Sequence, residues 1–346
     1  MPKMKGVVPV DEIHIKVRDD LEIPVPGPNQ VLIKVAYACL CATDIHGQQG
    51  LIGMAAKGPD MPMGHECSGI VVALGENAEG KGIEVGDHVV GDPGTYCHFC
   101  DGCKSGKRCT TKHPPAFGCF AQYKVYNIDS CHKIPKDMPL KRAALVEPTT
   151  CVIRAIDLCE IKVGKTAVLS GAGGIGMLLL RAMKRAGCAR ITVIEPVEEK
   201  WPLIRALGAE YVINPMKENV YEKCMEITDN AGFDYVFEAS GARSAAPVCL
   251  DIAGYNGIVT YFAVYPSDYE LPVNLNKLYK KEGRIQAVFV TPSIWPRAVN
   301  FVREDDAVLD RIIGYETSID NAEEAFAAFH TSKYSKVVLR CNDDIG

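Results

Sequence analysis

The sequence predicts an α/β protein with two domains, a β-rich first domain followed by a doubly wound parallel-sheet domain. The length of 346 residues suggests two domains, at roughly 150 residues per domain. Up to about residue 150, glycine and proline interrupt short β-branched runs. Beyond that point, short apolar strands alternate with helical stretches.

The first domain is predicted from its strands. Residues 31–37 and 69–74 are β-branched runs bounded by glycine, proline and asparagine. Glycine and proline recur densely from residue 24 to residue 115, and the periodicity of long helices is weak there. We therefore expect strands and turns in this part of the chain.

The second domain is predicted from the alternation of strands and helices. The strands are near-continuous apolar runs, which is typical of strands buried on both faces of a parallel sheet. They are predicted at residues 167–169, 191–194, 211–213, 235–237, 258–262 and 285–290. Helices are predicted at 175–186 and 198–207. A helix at 322–329 and a strand at 336–340 follow in the tail, and spacing alone leaves open which domain they join.

Composition limits the classes of function. A net charge of −5 gives no reason to expect nucleic acid or an anionic membrane surface as a partner. No signal-peptide pattern is visible, and the weakly polar run at 167–180 is too short to span a bilayer. The 15 cysteines, an odd number in a long chain, fit reduced thiols in the cytoplasm.

A glycine motif opens the second domain. Residues 171–176 read G-A-G-G-I-G, with a predicted strand before them and a helix after them. Gly171 would allow the tight turn, Gly173 the approach of a pyrophosphate, and Gly176 the packing of helix on strand. This context favours a Rossmann dinucleotide-binding domain over a plain glycine turn. The cofactor-binding residues are predicted to be Gly171, Gly173, Gly174, Ile175 and Gly176.

Glu195 ends the second predicted strand, about 20 residues beyond the glycines. A carboxylate there can accept hydrogen bonds from both ribose hydroxyls and repels a 2′-phosphate. Pro196 follows, and no arginine occupies the next few positions. The sequence therefore favours NAD over NADP, with a solvated strand end as the alternative.

A compact group of cysteines lies in the first domain. Cys97, Cys100 and Cys103 follow the spacing C-x2-C-x2-C, and Cys109 comes six residues later. Four thiolates can close a tetrahedral zinc site without an open position, so the spacing predicts a structural zinc. A disulfide pair is the lesser alternative. We interpret His98 and His113 as bystanders.

Two further clusters combine a thiolate, imidazoles and carboxylates. The first is C-A-T-D-I-H at residues 41–46, and the second is G-H-E at residues 64–66. Together they supply the mixed donors of an open catalytic zinc site, although each cluster alone is weak evidence. Asp44 could accept a hydrogen bond from a ligating imidazole and orient it.

These motifs occur in one order that resembles the zinc-containing medium-chain alcohol dehydrogenase family over nearly the whole chain. Gly86-Asp87 and the segments 64–69 and 118–123 are also similar to family signatures. Glu147-Pro148 resembles the branch with sorbitol, L-threonine and 2,3-butanediol dehydrogenases. The resemblance implies a GroES-like β-rich catalytic domain. Its implied boundaries are residues 1–150 and 291–346, with a zinc lobe at about 93–113 and a Rossmann domain at 151–290.

The resemblance also implies residue roles. Cys41 and His65 would ligate a catalytic zinc, with Glu66 and Glu147 as ligands or close neighbours in an order left open. Thr43 would bond the substrate hydroxyl and start a proton relay to His46. The implied cofactors are NAD and two zinc ions per subunit, and the implied assembly is a homodimer or homotetramer. The family usually has seven residues between the last two lobe cysteines, and this chain has five. The fourth cysteine would then ligate from a tighter turn, or the lobe zinc would be weak or absent.

The sequence thus indicates a zinc-dependent, NAD-linked oxidation of a secondary alcohol to a ketone. The substrate would be a small polyol, cyclic polyol or sugar, vicinal diol or amino alcohol, with no nucleic acid and no membrane involved. Its pocket is predicted to use residues 48–62, 117–120 and 291–295. Two alternatives are a zinc-free enone or quinone reductase on the same scaffold and a non-catalytic NAD-binding protein.

Overall fold

In a computed structural model, the chain divides into two compact units. The first comprises Met1–Thr150, Val290–Thr331 and Lys336–Gly346, and the second comprises Cys151–Phe289 with Ser332–Ser335. Within the part of the chain that the structure describes, no helix is long and apolar enough to cross a lipid bilayer. The structure describes residues 2–51, 60–106, 109–111, 116–289, 294–304 and 306–345.

Strands and helices are numbered along the chain. The strands are β1 (Lys3–Pro9), β2 (Ile15–Glu22), β3 (Gln30–Cys39), β4 (Glu66–Leu74), β5 (His88–Gly91), β6 (Tyr123–Asn127), β7 (Cys131–Lys133), β8 (Thr166–Ser170), β9 (Arg190–Ile194), β10 (Tyr211–Ile213), β11 (Phe233–Glu238), β12 (Ala253–Tyr261), β13 (Arg284–Ala287), β14 (Ile313–Ser318) and β15 (Lys336–Arg340). The α-helices are α1 (Ala42–Gln48), α2 (Asp101–Lys104), α3 (Leu140–Ala143), α4 (Val146–Cys159), α5 (Gly174–Arg185), α6 (Trp201–Leu207), α7 (Val220–Ile227), α8 (Ala245–Asp251), α9 (Leu275–Lys280), α10 (Trp295–Arg303), α11 (Asp306–Leu309) and α12 (Ala322–His330).

The first unit is built on a largely antiparallel sheet in the order β14-β15-β3-β4-β5-β7, with β6 paired to β3 and a separate β1-β2 hairpin. The tail strand β15 joins this sheet because it pairs antiparallel with β3, where Val338 lies opposite Cys39. On the other side of β3, Cys39 lies opposite Glu66 of β4. The register therefore places β15 and the start of β4 on opposite sides of the carboxyl end of β3.

The second unit is a parallel sheet in the order β10-β9-β8-β11-β12-β13. The strand order turns at β8, and the crevice beyond the carboxyl ends of such strands is where doubly wound sheets bind ligands. β8 is buried over four of its five residues, as the apolar run predicts. α5 follows the glycine turn and is buried over most of its length, with Met177 and Leu180 among the buried residues.

Most predicted elements differ from the structure by a few residues at their ends, and β12, for example, begins at Ala253 and not at residue 258. Two of these differences have a local cause. The strand predicted at 285–290 ends at Ala287, because its partner β12 ends at Tyr261, the residue opposite Ala287, and Val290 lies outside the described residues. The helix predicted from residue 198 begins as a 3-10 turn and becomes α-helical at Trp201. Pro202 in the first α-helical turn fits this start, because its missing N–H needs no partner there.

Candidate active site

Cys41, His65 and Glu66 meet in the first unit. Their ligand atoms, one from each residue, lie within 4.8 Å of one another. Cys41 is the N-cap residue of α1, His65 directly precedes β4, and Glu66 is the first residue of β4. A thiolate, an imidazole and a carboxylate form a donor set that zinc accepts, and three protein donors leave a position open. The residues present therefore fit a catalytic zinc.

Asp44 connects two of these donors. One carboxylate oxygen accepts a hydrogen bond from the Cys41 backbone N–H at 3.1 Å, and the other lies 2.8 Å from Nδ1 of His65. Burial opposes protonation of His65, but the charge and hydrogen bond of Asp44 hold its pKa well above the ordinary value. Because Nδ1 faces Asp44, Nε2 is left as the ring nitrogen for a metal.

Lys336 is a charged neighbour that the sequence did not reveal. Its Nζ lies 2.5 Å from Oε2 of Glu66, and the two side chains are only 4% and 1% exposed. Burial alone would lower the pKa of Lys336, but the charges of Glu66 and Cys41 raise it. A single lysine at the start of an apolar strand is an ordinary pattern, so only the pairing of β15 with β3 identifies it.

Glu147 is buried in the first turn of α4. It lies outside the group of three mutually close donors. Burial raises its pKa to about 8, the negative charges of Glu66 and Asp92 add to this effect, and the positive charges of His65 and Lys336 oppose it. The charges of the metal site therefore act on the Glu147 carboxyl group. Of the two glutamates, only Glu66 belongs to the group of close donors.

Thr43 and His46 are both on α1 and both partly buried. Residues three positions apart share one side of a helix, so their side chains project from the same side. Burial lowers the pKa of His46. A neutral imidazole at this position can accept a proton near neutral pH.

The four lobe cysteines also converge. All four sulfurs lie within 4.8 Å of one another, with 4.0 Å between Cys97 and Cys103 and 3.9 Å between Cys100 and Cys109. Zn–S bonds of ~2.3 Å place tetrahedral sulfurs about 3.8 Å apart, so this spacing suits zinc. All fifteen cysteines are free thiols, which removes the disulfide alternative here.

Hydrogen bonds to sulfur prepare the lobe for a cation. Bonds from Thr110 lower the pKa of Cys100 to about 5, and a bond from the Thr111 hydroxyl lowers that of Cys97 to about 7. Burial instead raises the pKa of Cys103 to about 11. His98 bonds to Asp129 and is not in the sulfur group, and His113 lies outside the described residues. The shortened loop thus still allows four sulfurs to gather.

The glycine turn has the backbone that its motif requires. Gly171 has a φ of +92°, and a Cβ there would lie 2.7 Å from the Cα of Ser240. A Cβ on Gly176 would lie 2.1 Å from the carbonyl oxygen of Gly171. α5 begins at Gly174, so its free N–H groups lie at this turn, where phosphates bind in such folds.

Glu195 directly follows β9 and is 4% exposed. Its Oε2 accepts a hydrogen bond from the Ala172 N–H at 2.8 Å, and its Oε1 accepts one from the Val197 N–H at 3.0 Å. Nζ of Lys200 lies 3.9 Å from Oε1 of Glu195. The predicted ribose carboxylate therefore touches the glycine turn. Of the predicted pocket wall, residues 52–59 and 291–293 lie outside the described residues.

Comparisons with known proteins show which family the chain belongs to. A family model described as an alcohol dehydrogenase GroES-like domain matches residues 27–136, and one described as a zinc-binding dehydrogenase matches residues 174–304. L-threonine 3-dehydrogenase of Pyrococcus horikoshii is 32% identical over 329 residues, covering 92% of this chain and 93% of that protein. The chain belongs to the zinc-containing medium-chain alcohol dehydrogenase family.

Other zinc-containing medium-chain dehydrogenases are similar over nearly their full lengths. Sorbitol dehydrogenase of Halalkalibacterium halodurans is 30% identical, with 94% of this chain and 95% of that protein covered. The crystal structure of a zinc-binding dehydrogenase from Clostridium scindens superposes with a TM-score of 0.88 at 30% identity, covering 98% and 99% of the two chains.

Membership confirms several predictions. The fold class is a GroES-like β-rich domain plus a doubly wound Rossmann domain. This chain is an oxidoreductase, and its cofactors are zinc and a nicotinamide dinucleotide. The individual residue roles, the preference between NAD and NADP and the substrate remain predictions.

Proposed function

We propose that this dehydrogenase oxidises a secondary alcohol to a ketone and transfers the hydride to NAD. The observation that carries the proposal is the meeting of Cys41, His65 and Glu66 as a mixed donor set in a chain with a dinucleotide-binding unit. Such a set suits an open catalytic zinc site, whereas the lobe cysteines suit a closed structural one.

The roles of the residues follow from their surroundings. Cys41 and His65 would hold the catalytic zinc, and Glu66 would be its third donor or its nearest carboxylate. When bound, zinc polarises an alcohol oxygen and lowers its pKa. Asp44 orients His65 through Nδ1, and Lys336 balances the charge of Glu66. NAD would supply the hydride acceptor, while the protein supplies position and electrostatics.

Thr43 and His46 would carry the proton away. We assign the substrate hydroxyl to Thr43 and the far end of the relay, through the cofactor ribose, to His46. Burial lowers the pKa of His46, which keeps its imidazole neutral and able to accept that proton.

Glu147 supports a substrate that carries a second polar group. The carboxyl group is buried, the charges of His65 and Glu66 act on it, and it could hydrogen-bond a second polar group of the substrate. The relatives named for threonine and sorbitol agree with such substrates. We propose a polyol, cyclic polyol or sugar, vicinal diol or amino alcohol, and NAD as the preferred cofactor through Glu195.

The proposal also covers the cellular compartment, the oligomeric state and the partners of the enzyme. Free thiols in a cysteine-rich chain fit the reducing cytoplasm, and a homodimer or homotetramer is expected from the family. The partner in catalysis is a small molecule, and neither nucleic acid nor a membrane is expected to take part.

The test combines metal analysis with NADH absorbance across a panel of cyclic and acyclic polyols, diols and amino alcohols. The proposal expects NADH formation that stops after zinc removal and returns with zinc. Cys41→Ser should abolish turnover while NADH binding survives. Activity that persists without metal would favour a zinc-free reductase. Turnover of no alcohol would favour a non-catalytic NAD-binding protein.

A further inference from the structure

Glu238 is a buried carboxylate that no catalytic role above uses. It ends β11 at the carboxyl edge of the parallel sheet and has no solvent exposure. Its Oε1 accepts hydrogen bonds from the Ser240 N–H at 2.8 Å, the Gly241 N–H at 3.2 Å and the Ser240 hydroxyl. Its Oε2 accepts one from the Tyr265 hydroxyl at 2.5 Å. These donors compensate the carboxylate for its loss of water.

The loop that Glu238 fixes supports the glycine turn. β11 lies beside β8, and the Ala239 N–H donates to the carbonyl oxygen of Ser170 at 2.9 Å. The backbone of Ser240 lies so close to Gly171 that a Cβ on Gly171 would collide with it. Any displacement of residues 239–241 would therefore remove the surface against which the turn rests.

Tyr265 links Glu238 to the segment that follows β12. It lies beyond β12, its ring stacks on Tyr269 with centroids 5.0 Å apart, and it meets Tyr261 edge-on at 6.4 Å. Burial and the neighbouring Glu238 raise the pKa of Tyr265, so its hydroxyl keeps its proton and donates. One carboxylate thus joins the loops after β11 and β12 beside the turn after β8.

We propose that Glu238 is a positioning residue for the dinucleotide. It holds residues 239–241 in place before the cofactor arrives, so the N–H groups of the glycine turn are already oriented. A loop that must order itself during binding costs affinity, and a preformed one avoids that cost. The proposal deepens the dinucleotide site of the proposed function and rests on it.

Asp234 provides a matched control on the same strand. It lies near the opposite, amino end of β11 and also links β11 to β8. Its carboxylate accepts hydrogen bonds from the Thr166 N–H and hydroxyl, both at 2.9 Å, and from Nζ of Lys165 at 2.8 Å. Loss of this link weakens the same strand pair at the edge remote from the glycine turn.

The experiment measures NADH binding by fluorescence, without substrate and well below the melting temperature of every variant. Glu238→Gln removes the charge and places an amide NH2 against two donors, the Tyr265 hydroxyl and the Gly241 N–H, and it should raise the NADH Kd about tenfold. Tyr265→Phe removes one donor and should raise it about threefold. Asp234→Asn should lower the melting temperature to a similar extent, with the NADH Kd within about twofold of wild type.

Two results would overturn the proposal. One is an unchanged NADH Kd in folded Glu238→Gln, and the other is an equal rise in Asp234→Asn. Should Glu238→Gln fail to fold, Tyr265→Phe decides in its place. In the variants that turn over, KM for NAD should rise while KM for the alcohol stays the same. Wild type that binds NADH but oxidises no alcohol would refute the proposed function alone, whereas wild type that binds no NADH would refute both.

Discussion

At the scale of single residues, the site depends on how buried charges are balanced. Glu66 and Lys336 are 1% and 4% exposed, so both have left water almost completely. Each buried ion costs several kcal/mol unless a partner compensates it. Lys336 therefore allows a carboxylate to stay buried beside Cys41 and His65 whether or not a metal is present.

Removal of the cation should be costly. Lys336→Met leaves Glu66 buried without its partner, and we expect the free energy of unfolding to fall by ~3–5 kcal/mol in the zinc-free protein. Urea unfolding followed by fluorescence measures this. Lys336→Arg keeps the charge and should lose less. Lys277→Met breaks an exposed pair with Asp251 and should have little effect. Equal losses in the two methionine variants would contradict the assignment.

A second residue-scale prediction concerns cofactor choice. Glu195→Ala removes the carboxylate proposed to bind the ribose and to repel a 2′-phosphate. We expect the ratio of kcat/KM for NAD to kcat/KM for NADP to fall by about tenfold or more, as the loss of charged hydrogen bonds suggests. Binding of both cofactors should also weaken, because Glu195 holds the Ala172 N–H. An unchanged ratio would mean that another residue reads the ribose.

At the scale of elements, the cysteine lobe shows how a short segment organises four sulfurs. α2 has only four residues, and its N-cap is Cys100, whose sulfur accepts the N–H of Cys103 at 3.4 Å. The N–H of Cys100 in turn donates to the sulfur of Cys97 at 3.3 Å. The backbone thus turns N–H groups toward the sulfurs, which favours their thiolate forms.

The lobe and the catalytic set should load zinc independently. We expect two zinc ions per chain in wild type, one in Cys109→Ser and one in Cys41→Ser. Inductively coupled plasma mass spectrometry after dialysis measures the zinc content. Cys109→Ser should keep its catalytic zinc, whereas Cys41→Ser should keep the lobe zinc. Cys188→Ser changes a buried thiol outside both groups and should retain two. One zinc in wild type would show that the shortened loop does not close the lobe.

At the scale of the whole molecule, Glu147 links stability to pH. Burial raises its pKa from 4.5 to about 8. Between these values the folded protein retains a proton that the unfolded chain has released, so this contribution to stability falls as pH rises from 4.5 to about 8. The slope for one group is at most ~1.4 kcal/mol per pH unit.

The comparison with Glu147→Gln in zinc-free protein measures that contribution together with its coupling to His65. His65 has a raised pKa and also loses its stabilising effect as pH rises, and its charge interacts with Glu147 in the wild type only. We therefore expect wild type to lose stability relative to the variant between pH 5 and pH 8, measured by urea unfolding at unit intervals. Parallel curves would mean that Glu147 titrates normally.

Local features of the fold and the site could be predicted from the sequence, and distant ones could not. The strand, turn and helix around Gly171 are set by neighbouring residues, and so is the sulfur group of the lobe. Lys336 lies some 270 residues beyond Glu66 and reaches it only through the register of β15, β3 and β4. Glu238 resembles any acid at a strand end until Tyr265 is seen beside it. The order of Glu66 and Glu147 likewise depends on distances in space.

The late position of Lys336 in the sequence affects how the protein folds during its synthesis. At ~5–20 residues per second, a ribosome needs on the order of half a minute to travel from codon 66 to codon 336. During that interval the emerging chain contains Glu66 but not Lys336, the buried cation that pairs with it. We therefore expect the Glu66 carboxylate to be buried only after β15 has been made and has paired with β3, so that the first unit completes its fold once almost the whole chain has been synthesised.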